Sequence, residues 1–289
     1  LRFVDDEIAR HNSEFWDEMC GSNQAKVLGI KDLSPESLEQ FDNWYFDFYP
    51  YLASEISPLL KRDLRVLDIG LGFGSLTTLA LRHGVNYHGI DIAEGPVNLA
   101  NYRGSLAGCE GAVASLGDAR ALTSIASGTF DGCIAIGSLH HTGDFNRAIR
   151  ELHRVTKREG SIHGMVYSLF SLRNWLFRPV FMGRCLARNI RGNGVRIQAD
   201  EKLRWMSDHN SEGKAAPSTE YFSRKALRTV LEEFGSVEIR CRNLDDVPLV
   251  SKIFPNLRKL LMHMHLDKFL GLDLYFSITL KPDSGQLKV

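Results

Sequence analysis

The segment that most constrains this chain is Arg65-Val66-Leu67-Asp68-Ile69-Gly70-Leu71-Gly72-Phe73-Gly74. An apolar run ends in an acid, and glycines then follow at alternate positions. The next residues, Ser75 to Arg82, read as helix. A buried strand that turns tightly into a helix around glycines is the geometry of a nucleotide-cofactor cradle. Glycine permits the sharp turn and lets a ligand approach the bare backbone.

The pattern around this segment repeats the strand–helix alternation. Strands are expected over Arg65–Gly70, Asn86–Asp91, Ala112–Leu116, Phe130–Gly137 and Ser161–Tyr167. Helices are expected over Ser75–Arg82, Gly95–Arg103 and Asp144–Lys157. Such alternation implies βαβ units and a parallel sheet, and the nearly continuous apolar strands imply helices on both faces. Upstream lies an aromatic-rich helical region holding Phe15, Trp16, Phe41, Trp44, Tyr45, Phe46, Phe48, Tyr49 and Tyr51. These rings either pack extra helices onto the sheet or line a pocket.

Downstream of Tyr167, roughly 70 residues pass before the next expected strand, Ser236–Cys241, far more than an ordinary connection. The stretch from Leu169 to Ala199 holds Arg173, Arg178, Arg184, Arg188, Arg191 and Arg196 and no acid. It reads as a solvated amphipathic helix, as an anion site, or as a nucleic-acid or membrane-surface contact. A second departure, Asp245 to Gly271, contains the amphipathic run Leu257–Met262 and precedes a last strand over Leu274–Leu280. Both departures leave the sheet near one region, where a lid is expected.

Bulk properties narrow the function classes. Basic and acidic side chains balance at 35 each, which argues against a whole-molecule nucleic-acid or membrane footprint. Cys20, Cys109, Cys133, Cys185 and Cys241 are scattered and form no CxxC pair. That pattern points to a reducing compartment and away from zinc. There is no signal-peptide pattern and no apolar run of the roughly 18 residues a spanning helix needs, so a cytoplasmic location is expected. The chain starts at Leu1 rather than Met, which leaves room for a preceding piece.

The glycines do not fit a dinucleotide fingerprint, because Ser75 occupies the third position of G-x-G-x-x-G and the glycine falls at Gly74. Asp91 ends the second strand about 20 residues after the loop, where a carboxylate can accept both hydroxyls of a ribose. Its plainer alternative is a helix N-cap. Asp118 closes the third strand in Gly117-Asp118-Ala119, where an acid suits an adenine amine, although Gly-Asp alone is a turn signal. The fourth strand delivers Gly137 and then His140 and His141 to the same sheet edge.

This set, with Phe130-Asp131, Leu139-His140-His141 and the helix Ala148-Ile149-Arg150-Glu151-Leu152-His153-Arg154-Val155, resembles the class I S-adenosylmethionine-dependent methyltransferases, in their ubiquinone-biosynthesis-like branch. The resemblance covers about 105 residues, Leu64 to Ser168. Lys157-Arg158-Glu159-Gly160 replaces the Lys-Pro-Gly-Gly turn usual in that branch. Flanking segments, Phe15-Trp16 with Cys20-Gly21 and Pro217 to Arg224, resemble those around small-molecule methyltransferases of this family.

The resemblance implies a Rossmann-like, doubly wound seven-stranded α/β sheet. Its last strand would be antiparallel between strands five and six, with N-terminal helices and a helical lid after strand five. The expected segments are a cap at 1–62, a cofactor-binding core at 63–168, a lid at 169–235 and the last strands at 236–289. It also implies roles. Asp68 and the Gly70 backbone would face the methionine ammonium of S-adenosylmethionine, and Gly72 and Gly74 would let the loop pass close. Asp91 would hold the ribose, Ile92 would lie on the adenine, and Asp118 and the Ala119 amide would bind the base. Gly137 would border the methionine end.

The implied reaction is in-line methyl transfer to a small acceptor, leaving S-adenosylhomocysteine. His140 and His141 are the candidate general bases and oxygen the preferred acceptor atom. Tyr221 is a weaker acceptor-site candidate. An anionic or carrier-bound acceptor would suit the arginines, and no metal is expected. Carbon or nitrogen acceptors remain open. A protein- or nucleic-acid-methylating enzyme is disfavoured by the neutral charge and the lack of an Asn/Asp-Pro-Pro-Tyr-type motif. An NAD-dependent oxidoreductase is disfavoured by the glycine spacing, and a non-catalytic binding protein by the intact acids.

Overall fold

A computed structural model describes residues 7–19, 22–244 and 257–281. The expected sheet is present. Its strands are β1 (Arg65–Ile69), β2 (Asn86–Asp91), β3 (Ala114–Leu116), β4 (Phe130–Ile136), β5 (Thr156–Tyr167), β8 (Gly235–Arg242) and β9 (Asp273–Leu280), ordered β3-β2-β1-β4-β5-β9-β8. The first five pair in parallel, and β9 runs antiparallel to both β5 and β8. The order reverses between β1 and β2 on one side and β4 on the other, which opens a crevice at the carboxyl ends of those strands.

Each face of the sheet carries its own core. Helices α1 (Glu7–Met19), α2 (Ser22–Val27), α3 (Pro35–Phe48) and α4 (Leu52–Ile56) precede the sheet, and α5 (Ser75–Arg82) and α6 (Glu94–Leu106) follow β1 and β2. Val66, Leu76, Ala80, Val97, Ala100, Leu52 and Ile56 pack together on one face. On the other, Leu67 and Cys133 meet Ile149 and Leu152 of α7 (Phe145–Val155) and Leu227 of α11 (Arg224–Leu231). Successive residues of β1, Val66 and Leu67, thus supply opposite cores, as strand alternation requires. Both are fully buried.

The last turn before β5 differs from expectation. The helix stops at Val155 and extended backbone begins at once, so Phe130 pairs with Thr156 while Gly132 pairs with Ser161. Residues Lys157 to Gly160 bulge out of the ladder, and Glu159 adopts φ 64° to turn the chain back.

The long insert after β5 is mostly helical, with α8 (Leu172–Phe177), α9 (Pro179–Arg191) and α10 (Glu201–Ser207). It also carries a two-stranded antiparallel ribbon, β6 (Arg196–Gln198) with β7 (Glu220–Phe222), that the sequence pattern does not signal. Leu169, Met182, Cys185, Val195, Leu203 and Tyr221 form its own small core. The second departure holds α12 (Leu257–His263) and α13 (Asp267–Leu270). Its 245–256 portion, like Cys20-Gly21, lies outside the described residues.

The N-terminal helices are tied to both core and insert. Asp42 on α3 receives both terminal nitrogens of Arg103 on α6, at 2.9 and 3.0 Å, and the Ser75 hydroxyl at 2.6 Å. On α1, Asp17 accepts the Gly95 amide at 2.6 Å, and Glu18 accepts the Asn210 side chain and the Ser211 amide.

Candidate active site

At the crevice lies a cavity of about 540 Å³. One side is the glycine loop and the strand ends: Gly70 to Phe73, Asp91, Ile92, Asp118, Ala119 and Gly137 all line it. Gly70 has φ 82°, and a side chain there would run into Ser138, whose hydroxyl donates to the Ile69 carbonyl at 2.7 Å. Gly72 faces open space. Gly74 does not line the cavity. It starts α5 at φ 77° and leaves room for the Arg103 side chain, so its need for glycine is packing rather than ligand approach.

Asp91 organises the loop. Its Oδ2 accepts the Leu71 amide at 2.7 Å and its Oδ1 the Ala93 amide at 3.0 Å. The N-cap expectation is corrected, because the cap of α6 is Ala93 and Asp91 binds that residue's own amide; each Asp91 carboxylate oxygen keeps a second lone pair. Burial raises its pKa from the ordinary 3.8, against the pull of those amides.

Asp68 sits one layer behind the cavity wall and is almost fully buried. Its Oδ2 accepts the Tyr87 hydroxyl at 2.9 Å, while Oδ1 has no hydrogen-bond partner. Burial raises its pKa to about 7, opposed by the Tyr87 hydrogen bond. An unpartnered buried carboxylate oxygen beside a glycine loop fits a cationic ligand, because burial without compensation is costly.

Asp118 lines the cavity with its carboxylate already engaged. It accepts the Arg120 amide at 2.8 Å and the Arg120 guanidinium at 2.7 Å. Any further donor at Asp118 would share this acceptor with Arg120.

The cavity also has an aromatic lining, part of which packs on the glycine loop, since the Phe41 ring lies 4.0 Å from that of Phe73. Trp16 of α1, Phe41, Trp44 and Tyr45 of α3, Tyr49 and Tyr167 all line it. Others of the aromatic set pack instead: Phe15 stands edge-on to Trp16, and Tyr51 to Tyr275. Both readings of that region are thus realised, by different rings.

The two histidines part company. His141 lines the cavity; His140 does not. His140 is fully buried with neither ring nitrogen partnered, its ring 4.1 Å from His141 and 4.3 Å from Tyr167. Burial and the neighbouring His141 hold its pKa well below 6.5. Of the two candidate bases only His141 reaches the cavity, because consecutive residues of one tight turn point in different directions.

His141 is held on all sides. Its Nδ1 lies 2.9 Å from the Ser218 carbonyl, which can only accept, so the proton resides on Nδ1 and Nε2 is bare. Nε2 lies 3.7 Å from Asp208 Oδ2, and Tyr167 donates its hydroxyl to Asp208 Oδ1 at 3.2 Å. Asn12 donates to the His141 carbonyl at 2.8 Å and Trp16 packs on the ring at 4.7 Å. Burial lowers the His141 pKa from 6.5, opposed by Asp208. Burial raises that of Asp208, opposed by His141.

Asp208 was not singled out by sequence reasoning. It carries no motif, and its only signal is spatial. Tyr221, by contrast, does not line the cavity. It is fully buried with its hydroxyl on Ser207 and its ring 5.6 Å from Tyr167, so it backs the wall instead of facing the acceptor. None of the six insert arginines lines the cavity either. Arg173 donates to the Met206 carbonyl, Arg178 pairs with Asp200, and Arg196 pairs with Glu220. Among the described residues there is no cluster suited to a metal ion, and no helix long and apolar enough to cross a membrane.

Comparison with known proteins agrees with this arrangement. Residues 67–163 match the family described as Methyltransferase domain. The fold is shared with YcgJ of Bacillus subtilis (19% identity over 81% of this chain and 100% of that one, TM-score 0.53). It is shared with an S-adenosylmethionine-dependent methyltransferase of Mesorhizobium loti (18% identity over 79% and 95%, TM-score 0.50). A chain from the Haloferax volcanii complex containing the Trm112 methyltransferase activator also superposes (14% identity over 92% and 98%, TM-score 0.55). With the glycine loop, the two strand-end acids and the antiparallel last strand in place, residues 67–163 form a methyltransferase domain, and the chain has a Rossmann-like methyltransferase fold.

Proposed function

We propose that the protein methylates an oxygen of a small, planar, largely apolar acceptor, with His141 as general base. The observation that carries this reading is the bare Nε2 of His141 in a cavity lined by a glycine loop with acids and by aromatic rings. Cofactor contacts are assigned to Gly70, Gly72, Asp91, Ile92, Asp118, Ala119 and Gly137, with Asp68 acting from behind the wall on the positive end of the ligand. S-adenosylmethionine would supply a methyl group on a cationic sulfur. Acids and carbonyls suit its charge better than a phosphate-cradling amide nest.

The chain's own residues then have three tasks. The Trp16, Phe41, Trp44 and Tyr49 rings would hold a flat acceptor by its faces and exclude water. His141 Nε2 would take the proton from the acceptor hydroxyl as the new bond forms. Asp208 would stabilise the imidazolium so produced, while the Ser218 carbonyl keeps the tautomer and ring orientation fixed. General-base assistance of this kind is worth on the order of 10²–10⁴ in rate.

In this reading residues 1–62 form a cap, 63–168 the cofactor-binding core, 169–235 a lid carrying Asp208, and 236–289 the closing strands. The aromatic wall favours an uncharged biosynthetic acceptor over the anionic or carrier-bound one that the arginines suggested, since no insert arginine reaches the cavity. Free cysteines at Cys109, Cys133, Cys185 and Cys241 suit a reducing, cytoplasmic setting. Incubating the protein with methyl-labelled S-adenosylmethionine and a panel of phenols, aliphatic alcohols and amines tests the acceptor class. Labelled phenol ethers support the reading. Label confined to amines would replace it.

A further inference from the structure

Helix α9 presents an outward face that neither the fold nor the site uses. Its inner side is anchored by Met182 and Cys185 in the insert core. At about 3.6 residues per turn, Val180, Gly183, Ala187 and Ile190 fall in one outward stripe with Leu186 at its edge. Val180 and Ile190 are 70% and 71% exposed. Leu176 and Phe177, just before the helix, are 57% and 56% exposed. Arg184, Arg188 and Arg191 form the flank beside this stripe, all exposed and with no ion pair among the described residues. Arg173, Arg178 and Arg196, the other arginines of this acid-free stretch, are all bound within the insert.

The face continues past the helix end. Lys225 donates to the Gly192 carbonyl, and its neighbour Arg224 donates to the Lys268 carbonyl at 3.0 Å. Next to Lys268 stands Phe269, 77% exposed. Lys225 and Arg224 thus tie to the two segments whose exposed apolar side chains are Ile190 and Phe269.

We infer that this face docks the protein onto the surface of an anionic lipid bilayer. An apolar stripe flanked by arginines is the pattern of a helix that lies in the headgroup region, the apolar side chains entering the acyl boundary and the cations meeting anionic headgroups. Charge favours this occupant over a second copy of the chain, because anionic headgroups complement the arginine flank, whereas an antiparallel two-fold contact would set arginine flank against arginine flank. No described helix is long enough to span, so the contact is peripheral. The insert that carries this face also carries Asp208, and its core residue Tyr221 backs Tyr167 of the cavity wall.

The test is cosedimentation of the full chain with vesicles of phosphatidylcholine alone and of phosphatidylcholine mixed with phosphatidylglycerol. Binding is expected only to the mixed vesicles, and it should weaken as salt is raised. A Val180→Asp/Ile190→Asp variant and an Arg184→Glu/Arg188→Glu/Arg191→Glu variant should each lose about tenfold or more in apparent affinity. All substituted residues are surface-exposed, and an unchanged thermal midpoint verifies folding for each variant. Absent binding, or equal binding to both vesicle types, overturns the proposal. So does a wild-type dimer that the Val180→Asp/Ile190→Asp variant dissociates, which would give the face to a second copy.

Discussion

His141 Nδ1 lies 2.9 Å from the Ser218 carbonyl, and this one contact leaves Nε2 bare, 3.7 Å from Asp208. The His141 ring is thus oriented from the insert, not from the core that bears it. Replacing His141 by Gln removes the base but keeps an amide able to meet Ser218. Turnover should fall by about 10²–10⁴, with the affinity for S-adenosylhomocysteine nearly unchanged. Steady-state kinetics beside a cofactor titration checks this, and parallel losses in both would mark His141 as structural. His140→Phe, in contrast, should leave turnover within a few-fold, since neither of its ring nitrogens has a partner.

The pH profile follows from the same environment. Burial holds the His141 pKa below 6.5, so the base form is already dominant at neutrality. Activity should therefore rise with pH at some point below 6.5 and level off by neutral pH. Asp208→Asn removes the carboxylate that opposes the burial effect, so the inflection should move lower while the plateau rate drops. A profile that still climbs above pH 7 would assign the inflection to another group.

Asp68 should trade stability for binding. Its pKa is about 7 in the fold against the ordinary 3.8, so between those values the folded state binds more protons than the unfolded chain. Stability therefore falls as pH rises through that window, and the cost is complete above about pH 7. Asp68→Asn should raise the thermal midpoint of the free protein at pH 8, with the gain shrinking toward pH 4, and should weaken cofactor binding. Calorimetric scans at both pH values, with and without S-adenosylhomocysteine, read both effects.

How much of this was legible beforehand depends on how local each signal is. The β1–loop–α5 unit could be read because apolar run, acid and glycines lie within ten consecutive positions, and the start and end of β2 and α5 coincide with the pattern. Tyr221 could not be placed, because all three residues of β7 are buried and alternation gives no facing. His140 and His141 carry the same sequence signal and differ only in where a single tight turn sends them. Asp208 meets His141 across 66 intervening positions that include α7 and β5 as well as the insert, a contact that no spacing encodes.

Arg103 and Asp42 form a pair whose side chains are 2% and 11% exposed, clamping α3 to α6 below the glycine loop. Asp42→Ala strands the guanidinium without its partner and should cost about 3–5 kcal/mol of stability. Denaturant unfolding measures it directly. A loss well under 1 kcal/mol would show that Arg103 finds water or another acceptor.

Asp91→Ala should weaken cofactor binding by about 1–3 kcal/mol through lost charge-assisted hydrogen bonds. It should also loosen the loop at Leu71, whose amide loses its acceptor. Asp91→Asn keeps acceptor capacity and should lie between wild type and Ala. An unchanged dissociation constant in the Ala variant would remove Asp91 from the ribose site.

The cavity lined by the glycine loop and the aromatic rings is proposed to hold S-adenosylmethionine. Isothermal titration of the wild-type protein with S-adenosylhomocysteine tests it most directly. Saturable one-to-one binding that Asp91→Ala weakens is the predicted result. No heat with either S-adenosylhomocysteine or S-adenosylmethionine, under conditions where NAD binds, would contradict it.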